Sequence, residues 1–407
     1  MSPSSVMESR GSVLPKLSRR AGGLAESATM EINRRAGELR AAGHEIIDLS
    51  AGEPDFPTPP TVVEAARRAL SDGHTRYTAA AGLPDLRDAV AARYAGAWGA
   101  PWTGRETVVT VGAKAALFEV IQVLVDEGDE VVMPSPAWVS FEEQIRFAGG
   151  TPVTVPTDPK ERFALRAQPL LDAITERTRM VLVNSPCNPT GGVATQAELE
   201  ALVRGCVERG VYVLSDETYE LFVWHGEKAS VAACAAGAPD NVILIGSFSK
   251  TYAMTGWRLG WLLGPPEVVS KVIALQSHAT SNPTTFAMYG ALEALRSAQD
   301  DVDAMIRAFA ERRSLVAEAL DALPGVHCAP ADGAFYAFPD VSEVYGHAGG
   351  IDGSIAICAR LLEAGVALVP GIAFGDDRFV RLSFAASQEN LRRGIERMAE
   401  TLDTLHG

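Results

Sequence analysis

A unit of apolar strand, polar loop and helix repeats through the middle of this chain and limits the folds that it can adopt. Strand-like runs rich in β-branched or apolar residues occupy residues 106–111, 130–133, 180–183, 211–214 and 242–245. Helical spacing of apolar residues predicts helices over Ala113–Leu124 and Gln196–Val207. This alternation is typical of an α/β sheet covered by helices on both faces. Because ligands of such sheets bind beyond the carboxyl ends of the strands, polar residues directly after each run are candidate site residues.

The last hundred residues lose this alternation and predict a second, smaller α+β domain. We expect helices over 301–323, near 354–363 and from residue 388 onward, with strands at 334–338, 366–369 and 379–384. The predicted parts are an N-terminal tail or arm (1–45), a large domain (60–300), and a small domain formed by 46–59 with 301–407.

Charge and cysteine content narrow the possible partners. The 407 residues carry 36 basic and 51 acidic side chains, a net charge of −15, which repels phosphate backbones and argues against nucleic acid. The longest apolar runs are too short to span a bilayer, so we expect no membrane partner. The five cysteines include no C-x-x-C pair, which predicts free thiols in the cytoplasm and no metal site.

Lys250 carries the most specific chemistry in the sequence. It follows the run 242–245 within residues 246–260, which read GSFSKTYAMTGWRLG. A lysine held among apolar and hydroxyl groups can be neutral near pH 7 and form a Schiff base with an aldehyde. Ser247, Ser249 and Arg258 supply the hydroxyl donors and guanidinium fork that bind phosphate. Amine and phosphate site together predict pyridoxal 5′-phosphate (PLP) as cofactor.

Two other interpretations of this segment stay open from the residues alone. Lys250 is an ordinary surface lysine in the first. In the second the chain is a serine hydrolase, since residues 246–249 approach the nucleophile-elbow pattern G-x-S-x-G, although Lys250 stands where the last glycine belongs.

Asp216 and Tyr219 follow the run 211–214 in the segment SDETY. An ionised carboxylate beside the ring nitrogen of PLP keeps that nitrogen protonated and makes the ring an electron sink. Tyr219 lies on the same side of the predicted turn and would hydrogen-bond the ring hydroxyl. A loop carboxylate that caps a helix is the alternative for Asp216.

Two loops add candidate backbone and amide groups. Residues 184–192, NSPCNPTGG, form a loop restricted by prolines that would present Asn188 to a ligand. Gly112 precedes a predicted helix, so the N–H groups of Ala113 and Lys114 would form an anion site. Many such junctions bind nothing.

Trp138 and Arg381 each have a functional and a structural interpretation. Trp138, at the end of the loop PSPAW (134–138), would stack on a flat ring or belong to the core. Arg381 lies in the alternating strand 379–384, where it would clamp a carboxylate or form an ion pair.

Together these segments resemble the class I, aspartate aminotransferase-like family of PLP enzymes, closest to its prokaryotic-type aspartate/prephenate branch. The resemblance runs from about residue 17 to the C-terminal helix. It rests on five ordered motifs: AGEPDF (51–56), YTAAAGL (77–83), NPTG (188–191), SFSK (247–250) and RLS (381–383).

The resemblance implies the PLP-dependent transferase fold, with a mixed, mostly parallel sheet in the large domain and a smaller α+β domain. It implies that Lys250 is the Schiff-base lysine and proton carrier, that Asp216 holds the ring nitrogen, and that Trp138 stacks on the ring. The remaining cofactor contacts that it implies are Tyr219, Asn188, Ser247, Ser249, Arg258, Ala113, Lys114 and Tyr77.

Substrate contacts are implied in the same way. Arg381 would clamp the α-carboxylate, with Gly52, Asn188 and Trp138 beside it. One branch of the family holds the distal carboxylate with an arginine of the partner subunit in the region of residues 277–285. This chain has no arginine there. The other branch implies Lys114 with Ser27 and Thr29 for that role.

Tyr77 resembles a catalytic tyrosine that reaches the phosphate from a second subunit, which implies a homodimer with shared active sites. The expected reaction is ping-pong transfer of an amino group from L-aspartate to 2-oxoglutarate. Three alternatives stay open: a prephenate, aromatic or branched substrate, a different PLP reaction in a natural-product pathway, and a non-enzymatic regulator of the same fold.

Overall fold

The computed structural model describes residues 17–24, 28–346 and 352–406. Its helices are α1 (Arg19–Gly22), α2 (Ala28–Ala41), α3 (Pro60–Ser71), α4 (Pro84–Trp98), α5 (Ala113–Leu124), α6 (Val139–Ala148), α7 (Ala167–Asp172), α8 (Gln196–Val207), α9 (Phe248–Thr251), α10 (Pro266–Ala279), α11 (Thr285–Ser297), α12 (Gln299–Asp321), α13 (Gly353–Glu363) and α14 (Gln388–His406). Its strands are β1 (Ile47–Asp48), β2 (Thr107–Thr110), β3 (Glu130–Ser135), β4 (Thr151–Pro156), β5 (Thr178–Asn184), β6 (Tyr212–Asp216), β7 (Val242–Ser247), β8 (Gly260–Leu263), β9 (Tyr336–Ala337), β10 (Val366–Ala367), β11 (Val369–Pro370) and β12 (Val380–Ser383).

The central sheet has seven strands in the order β2-β8-β7-β6-β5-β3-β4. β8 runs antiparallel to both of its neighbours, and the other paired strands are parallel. Neighbouring residues of one strand enter opposite cores: Val131 belongs to one apolar cluster and Val132 to the other. Both faces are therefore buried, which confirms the predicted mixed, mostly parallel sheet covered by helices.

The C-terminal part is built around a separate apolar cluster. Phe309 of α12, Phe335 and Leu391 of α14 lie in its centre. Its strands form a two-stranded parallel sheet, β1-β10, and a three-stranded antiparallel sheet, β11-β12-β9. This is the smaller α+β unit that the resemblance implied. The exact domain boundaries stay a prediction.

One predicted strand is wrong as a single element. Residues 366–369 form β10 and β11, which belong to different sheets and are separated by Leu368. All four residues are apolar and buried, so the sequence pattern does not reveal that the pairing strand changes at Leu368.

The connecting segment (residues 49–59) joins β1 to α3 and contacts both parts of the molecule. The backbone N–H of Ser383 donates to Leu49 O at 2.7 Å. The Thr58 hydroxyl donates to Ala253 O at 2.7 Å. Gly52 is thereby held where the two parts meet, next to the carboxyl ends of the central strands. None of the helices in the described ranges has the length and apolar character to cross a membrane.

Candidate active site

A cavity of about 380 Å³ lies where the central strands end and the smaller unit faces them. Most of the residues predicted from the sequence line it. They are Gly52, Ala113, Lys114, Trp138, Asn188, Asp216, Tyr219, Ser247, Ser249, Lys250, Arg258 and Arg381. The topology explains this convergence, because β5, β6 and β7 are parallel neighbours whose polar ends meet at one edge.

Of the other predicted residues, Tyr77 does not line the cavity of its own chain, and two lie wholly or partly outside what the structure describes. Tyr77 is 88% exposed. Ser27 lies outside the described residues. Thr29 belongs to α2, and its side chain is outside the described part of the chain.

Lys250 lies in α9, directly after β7, and points into the cavity. Its Nζ donates to the carbonyl oxygen of Gly52 at 2.5 Å. Burial, together with the nearby cations Arg258 and Arg381, lowers the pKa of Lys250 to about 8, while Glu53 acts in the opposite direction. The amine is therefore partly neutral near physiological pH, as a nucleophile or base requires.

Asp216 ends β6 and is 4% exposed. Its Oδ1 accepts a hydrogen bond from the N–H of Thr218 at 3.0 Å, and the side-chain amide of Asn184 donates to its backbone oxygen at 2.9 Å. Burial raises the pKa of Asp216, whereas Thr218 and Lys250 oppose that shift. A protonated ring nitrogen beside the carboxylate would favour the ionised form further.

Gly112, Ala113 and Arg258 form a cup at the N-terminus of the twelve-residue helix α5. Gly112 has a φ of 82°, and a Cβ there would lie 2.8 Å from Arg258 Nη2. A Cβ on Gly260 would lie 2.5 Å from Ala113 N. Only glycine leaves room for this arrangement of N–H groups and guanidinium, which is suited to a phosphate group.

The serine hydroxyls complete the cup from α9. Ser247 caps this helix, and its Oγ accepts a hydrogen bond from the N–H of Ser249 at 3.0 Å. Both serines are buried and line the cavity.

Arg381 reaches the cavity from β12 and is 3% exposed. Its Nη1 donates to Asn188 Oδ1 at 3.0 Å and its Nη2 to Ser50 O at 2.7 Å. Its Nε is buried and has no hydrogen-bond partner among the residues that the structure describes. Burial lowers the pKa of Arg381, yet an arginine stays charged. A buried cation with an unmet donor is suited to bind a carboxylate.

Lys114 and Trp138 lie at the mouth of the cavity. The Lys114 ammonium is 4.6 Å from the centre of the Trp138 ring. Partial burial and Arg258 lower the pKa of Lys114. Two cations, Lys114 at the mouth and Arg381 deeper in, thus face one space from opposite elements.

The sequence reasoning missed Val139, Ser140, Asn184, Thr218 and Tyr336, which also line the cavity. Asn184 was recognisable as a polar residue at a strand end. Tyr336 was not, because an aromatic residue in a short apolar run is indistinguishable from a core residue. Its Oη lies 2.7 Å from Tyr219 Oη, and its ring lies under the Arg381 guanidinium.

Comparison with known proteins shows which family the chain belongs to. Residues 44–398 match the profile of the family described as aminotransferase class I and II. The chain belongs to this family. This excludes the serine hydrolase and confirms the predicted resemblance, fold and enzyme class.

Individual relatives match nearly the whole length of this chain. The chain is 43% identical to an aspartate aminotransferase of Geobacillus stearothermophilus over 94% of its own length and 98% of the relative's. It is 44% identical to an aspartate/prephenate aminotransferase of Thermus thermophilus over 95% and 98%. A solved structure of the Thermus thermophilus aspartate aminotransferase with maleate superposes with a TM-score of 0.91 at 43% identity, covering 95% of this chain and 100% of that one.

The enzyme is PLP-dependent, as is its family. The residues present are suited to this cofactor on three structural grounds. A half-buried, partly neutral lysine lies near a buried carboxylate. A single Cβ on Gly112 or Gly260 would fill the cup at α5. The cavity of about 380 Å³ is large enough for a small aromatic ring.

Proposed function

We propose that this aminotransferase moves the amino group of L-aspartate to 2-oxoglutarate. The observation that carries the proposal is the pair of cations facing one cavity, Arg381 with its unmet buried donor and Lys114 at the mouth. Both proposed substrates carry two carboxylates. The names of the Geobacillus and Thermus relatives support aspartate as the donor.

Bound PLP supplies an electron sink for the bonds at the substrate Cα. Lys250 Nζ would be its attachment point and, once released, would carry a proton to and from the substrate. Asp216 would hold the proton on the ring nitrogen. Tyr219 and Asn188 would bind the ring hydroxyl, and Trp138 would cover the ring face. Because Asn188 also accepts from Arg381, it ties the ring contact to the carboxylate clamp.

The phosphate group would be held by the cup at α5. Ala113 and Lys114 contribute N–H groups, and Ser247, Ser249 and Arg258 contribute side chains. Burial and, to a lesser extent, repulsion by Arg258 lower the pKa of Lys114, and a dianion at this point would offset the repulsion.

The substrate proposal is tested by a single-turnover reaction with L-aspartate alone. Loss of the bound cofactor's visible absorbance with release of oxaloacetate supports it. A cofactor-loaded protein that ignores aspartate but reacts with other amino acids contradicts it. Prephenate is the second substrate to assay, since it appears in the name of the Thermus relative.

Lys114→Ala separates the distal carboxylate from the rest of the site. We expect the KM for aspartate to rise by roughly 5- to 30-fold, while the KM for alanine changes less than about twofold. The matched control is Lys160→Ala, on a turn outside the cavity. Equal losses for both substrates would remove Lys114 from the specificity site. The same comparison can be made for Ser27→Ala and Thr29→Ala.

We also propose a homodimer in which Tyr77 completes the site of the other subunit. Its exposure of 88%, in a chain whose own cavity it does not line, supports this role. Mixing Tyr77→Ala with Lys250→Ala protein tests it. Hybrid dimers would contain one intact site and restore about a quarter of the activity. Mixtures as inactive as the two parents, in a protein shown to be dimeric and to exchange subunits, would contradict the shared site.

A cytoplasmic location is proposed on the state of the thiols. All five cysteines of the chain are unpaired in the structure. Free thiols persist in a reducing compartment.

A further inference from the structure

Tyr336 lies in the cavity wall between two groups with separate roles. It is 1% exposed, and its Oη is 2.7 Å from Tyr219 Oη. The guanidinium carbon of Arg381 is 4.5 Å from the centre of its ring. One side chain therefore contacts both the proposed ligand of the cofactor's ring hydroxyl and the proposed clamp for the substrate carboxylate.

The hydrogen bond between the two phenols has a direction that the protons determine. Each phenol has one proton to donate. Burial raises the pKa of both Tyr219 and Tyr336, so both hydroxyls keep their protons near neutral pH. If Tyr219 donates its proton to the cofactor's ring oxygen, Tyr336 has to donate to Tyr219.

The Tyr336 side chain is packed on two sides. A Cβ placed on Gly52 would lie 2.8 Å from Tyr336 Oη, so the phenol is pressed against the connecting segment. On the other side its ring contacts Phe335, with ring centres 4.9 Å apart. The hydroxyl is thereby held toward Tyr219.

We propose that Tyr336 is a positioning residue with two roles. Its hydroxyl donates a hydrogen bond to Tyr219 Oη, so that Tyr219 donates to the cofactor, and its ring packs against the Arg381 guanidinium and holds it in place. The inference rests on the roles proposed above for Tyr219 and Arg381. A chain of hydrogen bonds strengthens its members, so Tyr219 becomes a better donor to a developing negative charge on the ring oxygen. The titratable groups that face this pair are Arg381 from β12, Asp216 from β6 and Lys250 from α9.

The test uses the pH titration of the bound cofactor's visible absorbance in the holoenzyme. Tyr336→Phe keeps the ring and removes the hydroxyl. We expect the midpoint to rise by roughly 0.2–0.6 units, because the ring oxygen's anionic form loses support. In a Tyr219→Phe background, Tyr336→Phe should shift the midpoint no further. The control is Tyr345→Phe. Tyr345 does not line the cavity, and its hydroxyl donates to Asp377 O at a distance of 2.5 Å.

A second measurement addresses Arg381, with maleate as an unreactive dicarboxylate. Tyr336→Leu removes the ring beneath the guanidinium and should weaken maleate binding by roughly 3- to 30-fold. Tyr336→Phe keeps the ring and should bind within about twofold of wild type.

The outcomes separate this inference from the proposed function. A Tyr219→Phe variant that leaves the midpoint unchanged overturns the role of Tyr219 itself. If Tyr219→Phe shifts it but Tyr336→Phe does not, or shifts it equally in both backgrounds, the role of Tyr336 fails alone. Equal loss of maleate binding in the Phe and Leu variants would refute the support of Arg381.

Discussion

At the scale of single residues, the chemistry of this enzyme depends on ionisable groups whose burial changes their pKa. Lys250 and Asp216 show opposite consequences of the same burial. Burial lowers the pKa of the amine to about 8 and raises the pKa of the carboxyl group. Each group is moved toward its neutral form, and a bound cofactor with a cationic ring nitrogen restores the charge of the carboxylate.

The lowered pKa of Lys250 predicts how the protein loads its cofactor. Only the neutral amine attacks the aldehyde, so the rate of covalent loading should rise with pH through a midpoint near 8. At pH 7 roughly a tenth of the amine is neutral. Stopped-flow absorbance of apoprotein mixed with PLP measures the rate. A midpoint near the ordinary lysine value of 10.5 would contradict the desolvated lysine.

Arg381 predicts a loss that all amino acid substrates share. Arg381→Ala removes the donors that would meet the α-carboxylate, and we expect kcat/KM to fall by roughly 30- to 1,000-fold for aspartate and alanine alike. Arg381→Lys keeps the charge without the planar fork and should recover only part of the loss. Steady-state kinetics with both substrates decides it. A loss confined to aspartate would move Arg381 to the distal carboxylate.

At the scale of elements, the site is made by the junctions between strands and helices. The order of β5, β6 and β7 in the sheet places Asn184 opposite Asp216, with Ser247 two residues beyond the partner of Asp216 at the same edge. The neighbouring strand β8 brings Gly260 against the N-terminus of α5. This strand and β4 were not predicted. A four-residue apolar run fits strand or helix equally, and β4 is a partly exposed edge strand ending in proline.

A substitution of Gly112, at the junction between β2 and α5, should weaken the binding of PLP specifically. Gly112→Ala adds strain at a φ of 82° and pushes on Arg258 Nη2, 2.8 Å from the new Cβ. We expect the dissociation constant for PLP to rise at least about tenfold. Gly128→Ala is the matched control, since Gly128 has a φ of 94° and no atom within 4 Å of its Cβ. Both variants should lose similar stability, roughly 1 kcal/mol, but only Gly112→Ala should weaken PLP binding.

At the scale of the whole molecule, the connecting segment couples the two parts to the site. Arg312 of α12 donates to both oxygens of Asp55, at 2.6 and 3.0 Å. The same segment supplies Gly52 O to Lys250 and Ser50 O to Arg381. The cavity is therefore assembled from two separate cores, and its geometry depends on how this segment is held.

A substitution of Arg312 would measure how much the Arg312–Asp55 ion pair contributes to stability. Its guanidinium carbon lies 5.0 Å from the Phe56 ring centre and 5.3 Å from that of Phe309. Arg312→Leu leaves Asp55 without its partner, and we expect the free energy of unfolding to fall by roughly 1–3 kcal/mol. Urea unfolding of apoprotein measures it, with the exposed Arg307→Leu on the same helix as control. An unchanged midpoint would show that the ion pair does not stabilise the junction.

The repeating α/β pattern, the residues at the strand ends and the family could all be predicted from the amino-acid sequence. Apolar periodicity is local, and motifs such as SFSK and NPTG are contiguous, so neither needs coordinates to be recognised. The division of residues 366–369 between two sheets and the contacts of Tyr336 with Tyr219 and Arg381 became visible in the folded chain alone. These features depend on contacts between distant segments, where the same buried aromatic or aliphatic residue serves a core or a cavity according to what packs against it.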